Sequence, residues 1–219
     1  IIAMKSADFL FTPSEWAYEN LVRMKPKGYI VQLPVNTNLE SLDFDMAKGL
    51  SLKINIRPYG IIIFHRLETL YSRKRINILF DVIKKISQDS NLVFVMHQPT
   101  IIALKKFDIF DKLKEIKGLT MLGLIPHSDF LNLLKDAEFI LTDGGSIQEE
   151  SFYLGVPCLL MRECTERIEG LNENVFISGF NAEKIGYFLG NFKKFRRPRF
   201  DKYISPSEIV VNFISQFKS

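Results

Sequence analysis

The sequence predicts an α/β protein built on a doubly wound parallel sheet. Three observations carry that expectation. Six short runs are apolar on both faces, amphipathic stretches of helical period separate them, and the strand-then-helix order repeats along most of the chain. With 219 residues, 47% hydrophobic and 12% aromatic, the chain can bury a full core. That size suits one large domain or one and a half smaller ones.

In chain order, ADFLFTPSEWAYENLVRMKPKGYIVQLPVN (7–36) reads as strand, helix and strand, with Ser14 as N-cap and Glu15 behind it. The stretch NLESLDFDMAKGLSLKINIRP (38–58) reads as a poor core former, and a domain junction is expected near Pro34. The six buried strands are YGIIIF (59–64), LVFVM (92–96), LTMLGLI (119–125), FILT (139–142), PCLLMR (157–162) and VFIS (175–178). Each is too short to stand as a helix. Helices are expected from Arg73 (RKRINILFDVIKKISQ), His127 (HSDFLNLLKDA), Ser146 (SIQEESFYLG) and Asn181 (NAEKIGYFLGNFKKF). The chain opens on IIAMKSADFLF, without Met and already within an apolar pattern, which reads as a piece of a longer protein.

Composition narrows the function classes. Formal net charge is +4, with basic residues dispersed except in KKFRRPR (193–199). Such a cluster reads first as a solvated basic face, and the overall balance suits a phosphate-bearing small molecule as well as nucleic acid. The two cysteines, Cys158 and Cys164, lie in or beside apolar runs, which favours a reducing, cytoplasmic setting. There is no metal-ligand spacing, no signal-peptide pattern and no apolar run of about 18 residues, so neither a metal nor a membrane span is expected.

The stretch TDGGSIQEESFYLGVPC (142–158) concentrates the chemistry. Ligands of open α/β sheets bind at the carboxyl ends of strands, where FILTD delivers the chain. Gly144 and Gly145 permit a sharp turn and close backbone approach, and Ser146 is positioned to cap the next helix. The helix start is then suited to phosphate. Glu149 and Glu150 follow within a turn or so, where one reaches a sugar diol; alternatively GGS is only a tight turn and the glutamates complement the helix dipole.

The segment TDGGSIQEESFYLGVPCLLMRECTERIEGL closely resembles the TDSGGIQEE…LGKP…R…TERPE signature of the UDP-N-acetylglucosamine 2-epimerases, enzymes of the two-domain glycosyltransferase-B type. FHRLET (64–69) resembles the family's THR-x-EN motif, and MHQPT (96–100) sits where the family has H-x-NP. The matches run in order through nearly the whole chain, but only against the back half of the family. The resemblance therefore implies a Rossmann-like nucleotide-binding domain over 34–200. It assigns 1–33 to the last unit of a first domain and 201–219 to a helix crossing back to it.

Carried over residue by residue, the resemblance implies that Phe130 stacks on uracil, that Gly144, Gly145 and Ser146 form the diphosphate loop, and that Glu150 binds ribose hydroxyls. It places Arg167 in the nucleotide site, with an ion pair to Glu166 or Glu169 as the alternative reading, and gives His65 a catalytic place beside the leaving diphosphate. His97 and His127 carry weaker signals, as structural residues. Three departures stand out: the loop reads Gly-Gly-Ser where Ser-Gly-Gly is usual, Ile125 replaces a glutamine near uracil, and PVNTNLESL (34–42) replaces the usual GN-x-x-ID linker. With Ile125 there, base recognition is left to backbone groups or His127.

The function implied is inversion at C2 of a UDP-N-acetylhexosamine by UDP elimination and re-addition, with UDP and the nucleotide sugar as partners, no cofactor, no nucleic acid, no membrane and a homodimer when full length. The proton-handling carboxylates of that family belong to its first domain, so this portion alone is expected to be inactive. A hydrolysing epimerase, a UDP-sugar glycosyltransferase of the same fold and a non-enzymatic nucleotide-binding module remain open as alternatives.

Overall fold

The computed structural model describes residues 2–49, 52, 54 and 56–217. Ile1, Lys218 and Ser219, at the ends of the two expected terminal segments, lie outside the described residues, as do Leu50, Ser51, Lys53 and Asn55 in the stretch read as a poor core former. The chain divides into two compact units, residues 1–44 with 201–219 and residues 45–200.

The first unit begins with α1 (Ile2–Ser6), β1 (Phe9–Thr12), α2 (Glu15–Arg23), β2 (Tyr29–Gln32) and most of α3 (Asn38–Ala47). The Ser14 hydroxyl accepts from the Ala17 amide at 3.3 Å and satisfies one of the unpaired N–H groups at the start of α2. The α2 helix returns the chain so that β1 and β2 pair in parallel, Phe9 opposite Tyr29. The expectation of a poor core former at 38–58 needs correction over its first ten residues. They form α3, which buries Leu39 and Leu42 completely despite its acidic composition. Leu39, Leu42 and Met46, spaced at i, i+3 and i+7, lie on one helical face and are buried.

In the second unit follow β3 (Tyr59–Phe64), α4 (Leu67–Leu70), α5 (Arg73–Ile86), β4 (Asn91–Met96), α6 (Gln98–Lys106), α7 (Phe110–Lys114) and β5 (Leu119–Leu122). Then come α8 (His127–Asp136), β6 (Ile140–Thr142), α9 (Gly145–Leu154), β7 (Cys158–Leu160), β8 (Val175–Ile177) and α10 (Ala182–Asn191). All six strands are parallel, in the order β5-β4-β3-β6-β7-β8. That order makes the sheet Rossmann-like, because the chain first winds outward from β3 to β5 and then crosses back to β6 on the other side of β3. Every residue of β3 is buried, as a run apolar on both faces requires in the centre of a sheet covered by helices. On one face Ile76, Leu79, Ile83 and Ile86 of α5 join the core, each buried side chain contributing about 1.5–3 kcal/mol.

Two element expectations change. The run at 119–125 is a strand only to Leu122, at the sheet edge, where its residues are half-buried. Leu124 beyond it is exposed. The helix expected through Phe195 ends at Asn191 and continues as a 3-10 turn over Phe192–Phe195. The remaining helix, α11 (Pro206–Ser215), belongs to the first unit, where Phe213 packs edge-on against Phe9 at 5.6 Å between ring centroids. In the same unit the Tyr203 hydroxyl donates to Asp43 at 2.7 Å, and the hydroxyls of Ser205 and Ser207 donate to Glu40.

Candidate functional site

The site lies where the two halves of the sheet diverge. Strands β3 and β6 are neighbours, yet the chain leaves their carboxyl ends toward opposite faces, which opens a crevice there. His65 follows β3, His97 follows β4, Leu124 and Ile125 follow β5, and Asp143 and Gly144 follow β6. A cavity of about 430 Å3 opens between them. Its walls include all three histidines of the chain, His65, His97 and His127, together with Phe130, Ser146 and Glu150. This is the size and composition of a small-molecule site, mostly apolar with a few convergent polar groups.

Asp143 organises the crevice. Fully buried, it accepts from the backbone amides of His65 at 3.0 Å and Arg66 at 3.1 Å, one with each carboxylate oxygen. The loop after β3 is thereby fixed to the loop after β6. Sequence reasoning passed over Asp143, although an aspartate directly after an apolar strand and before Gly-Gly was the available signal. The His65 ring stands 5.5 Å from that of His97, centroid to centroid. Burial, and after it the positive charge His65 can carry, push His97 below the ordinary histidine value and so favour its neutral form.

At Gly144 the structure revises the reason for a glycine. The residue has φ −88° and ψ 128°, a conformation open to any side chain. Space decides instead, since a Cβ there would lie 2.7 Å from Cε1 of His65. A Cβ on Gly145 would meet Glu166 and Arg167 at 3.0 and 3.2 Å, so those two side chains lie over the turn. The helix cap is also corrected. Gly144 is the N-cap and offers no side-chain cap, whereas Ser146 is the second residue of α9 and is exposed. The first-turn amides of α9 therefore have no intrahelical or side-chain cap partner, the arrangement that suits an anion.

Glu149 and Glu150 lie in the second turn of α9, so the reading that they complement the helix dipole falls away. Glu149 is buried, accepts from the Tyr153 hydroxyl at 3.0 Å, and forms an ion pair with Arg167. The partner of Arg167 is thus Glu149, not Glu166 or Glu169. Gln148, fully buried, donates to the carbonyls of Arg167 at 3.1 Å and Glu169 at 3.0 Å and accepts from Thr165 at 2.7 Å. Together these bonds hold the TERIEG loop over the start of α9. Over the turn, Glu166 is paired with Arg162 at 2.8 Å and Arg66 at 3.5 Å, and the Arg162 hydrogen bond holds its carboxyl down to about 2.

Glu150 bonds to Nε2 of His127 at 3.0 Å, and Nδ1 of that ring bonds to Asp45 at 2.8 Å. With both nitrogens engaged by carboxylates, His127 offers no donor to a base. Of the residues singled out from sequence, His65, Phe130, Ser146 and Glu150 line the cavity, while Gly144, Gly145 and Arg167 form the turn and its cover beside it. Phe130 is 5% exposed, at once a wall of the cavity and part of the buried interior. Among the described residues no group of three or more His, Cys, Asp or Glu could hold a metal ion, and no helix is long and apolar enough to cross a membrane.

Fold and crevice together define a doubly wound α/β domain of the kind that forms the nucleotide-binding half of glycosyltransferase-B architectures. The sequence profile of the UDP-N-acetylglucosamine 2-epimerase family matches residues 1–198, and the chain belongs to that family. A UDP-N-acetylglucosamine 2-epimerase of Methanocaldococcus jannaschii is 32% identical over 193 residues, which cover 82% of this chain and 52% of the relative. A crystal structure of the M. jannaschii enzyme in complex with UDP-GlcNAc and UDP superimposes with a TM-score of 0.83 at 28% identity, over 96% of this chain and 61% of the other. The Neisseria meningitidis enzyme bound to UDP-GlcNAc shares the fold, with a TM-score of 0.80 at 22% identity over 96% of this chain and 62% of the other. The chain spans about half the length of the curated relatives it matches.

Proposed function

We propose that this chain is the UDP-binding half of a UDP-N-acetylglucosamine 2-epimerase. The observation that carries the reading is the convergence, at the switch point between β3 and β6, of an uncapped helix start, His65, Phe130 and Glu150 around one cavity. The M. jannaschii relative, alike in fold and family, is complexed with UDP-GlcNAc and UDP. In this reading Phe130 stacks on uracil, Glu150 accepts from the ribose hydroxyls, and the diphosphate rests on the amides of Gly145 and Ser146 beneath Arg167.

The reaction removes the C2 proton to a base while the C1–O bond breaks, its electron pair passing to the β-phosphate oxygen of UDP. A C1=C2 double bond is left in the sugar. Re-addition of UDP with protonation from the other face inverts C2. Negative charge grows on the diphosphate during cleavage, where the α9 amides, Arg167 and His65 stabilise it more in the transition state than in the ground state. His65 is suited to donate to the leaving oxygen, its loop being anchored by Asp143.

The base belongs to a first domain, so residues 1–219 alone bind UDP without turnover. The full-length protein works as a homodimer in the cytoplasm, a setting that suits the free thiols of Cys158 and Cys164. Incubation of full-length protein with UDP-N-acetylglucosamine in D2O tests the reading. Deuterium at C2 in both nucleotide-sugar epimers is expected. Free sugar and UDP as sole products would transfer the assignment to a hydrolysing enzyme, and transfer to an acceptor without C2 exchange to a glycosyltransferase.

A further inference from the structure

We propose that His127 is a positioning residue that holds the Glu150 carboxylate for a ribose cis-diol, so that sugar recognition in the nucleotide depends on the Asp45–His127–Glu150 chain of contacts. This rests on the UDP-binding reading above and adds to it a specificity determinant that acts through Glu150.

His127 is the first residue of α8, and a cation there opposes the positive end of the helix. Two carboxylates offset that cost, Asp45 at 2.8 Å on Nδ1 and Glu150 at 3.0 Å on Nε2. Lys48 in turn bonds to Asp45 at 2.5 Å. The hydrogen bond to Glu150, ahead of that to Asp45, raises His127 to about 9 and keeps the ring charged at neutral pH. A doubly protonated imidazole bonded at both ends is fixed in orientation, and it fixes Oε1 of Glu150 in turn.

The other oxygen supplies the independent observation. Oε2 of Glu150 is buried and accepts a hydrogen bond from no described residue. A buried acceptor left unmatched is unfavourable, and a hydroxyl donor entering the cavity that Glu150 lines relieves it. An ionised carboxylate only accepts, so the ligand group must donate, as a ribose diol does and a phosphate does not. Without His127 the carboxylate is free to rotate and to take solvent.

Calorimetry on the 219-residue chain with UDP and 2′-deoxy-UDP tests this in wild type, His127→Ala and His127→Gln, with melting temperatures measured in parallel. Wild type is expected to prefer UDP about tenfold or more, the usual worth of a hydrogen bond to a charged group. His127→Ala should weaken UDP by a similar factor, leave 2′-deoxy-UDP nearly unchanged and so erase the preference; His127→Gln, which keeps one donor, should restore part of it. Equal weakening of both ligands with the preference intact would make His127 a structural residue and overturn the proposal. So would a wild-type chain that binds the two ligands alike. Failure of wild type to bind UDP at all would instead remove the nucleotide reading on which the proposal stands.

Discussion

Side-chain volume at single positions governs how the crevice works. Gly144 sits so close to His65 that even one methyl group displaces the ring, because the contact distance would be 2.7 Å. Gly144→Ala is therefore expected to lower UDP affinity and, in the full-length protein, turnover, with little loss of thermal stability. Ser146→Ala removes an exposed hydroxyl that caps nothing, so stability should change by less than about 0.5 kcal/mol. Titration of both variants with UDP checks the order; greater harm from Ser146→Ala would show that the loop acts through its hydroxyl and not through its backbone. Phe130 serves both cavity and interior, so truncation to alanine would confound the two roles. Phe130→Leu keeps most of the volume and removes the ring face. It should cost roughly 1–3 kcal/mol of UDP binding, the worth of one base stack, while the melting temperature stays near that of wild type. A large fall in melting temperature with unchanged affinity would make Phe130 a purely structural residue.

Elements position those residues by what fixes their ends. Helix α9 carries the phosphate-facing turn at its start and Glu149 and Glu150 on its second turn, so its placement sets the geometry of the site. Its far end is locked by Gly155, at φ 67°, and by Asn174, whose side chain donates to the carbonyls of Ser151 at 2.9 Å and Val156 at 2.8 Å. Gly155→Ala meets two obstacles at once, the left-handed conformation and the Arg197 carbonyl, which would lie 2.1 Å from the new Cβ. We expect it to destabilise the chain by more than 1 kcal/mol, about the strain of one such residue, and to weaken UDP binding without touching the cavity. Denaturant unfolding and UDP titration measure the two effects, and an unchanged unfolding midpoint would show that the helix end adjusts.

For the molecule as a whole, the charged His127 makes stability depend on pH on the alkaline side. Its value is raised to about 9 in the folded chain, from about 6.5 when unfolded, so the folded state holds the proton more tightly. The associated stabilisation is complete below about pH 6.5 and is lost as pH rises through about 9. The ring is half exposed, so solvent screens the effect and it is modest in size. The melting temperature of wild type should fall more between pH 6.5 and 9 than that of His127→Gln. Parallel curves would mean that the ion pairs with Asp45 and Glu150 do not persist in solution.

The sequence by itself determined the architecture of the second unit, since runs apolar on both faces have no stable place except the inside of a covered parallel sheet, and helical periods between them leave few ways to connect. It also marked the turn after β6, because Gly-Gly at the end of an apolar strand is a local signal, and the same holds for the Ser14 cap. What tertiary structure decided was each partnership between distant segments. That Asp143 anchors the loop of His65, that Arg167 pairs with Glu149, and that three histidines from widely separated positions share one wall follow from the order in which strands assemble, which no local pattern encodes. The reason for a glycine at 144 likewise lies across the crevice, in a ring brought there from β3, and not in the backbone angles of its own turn.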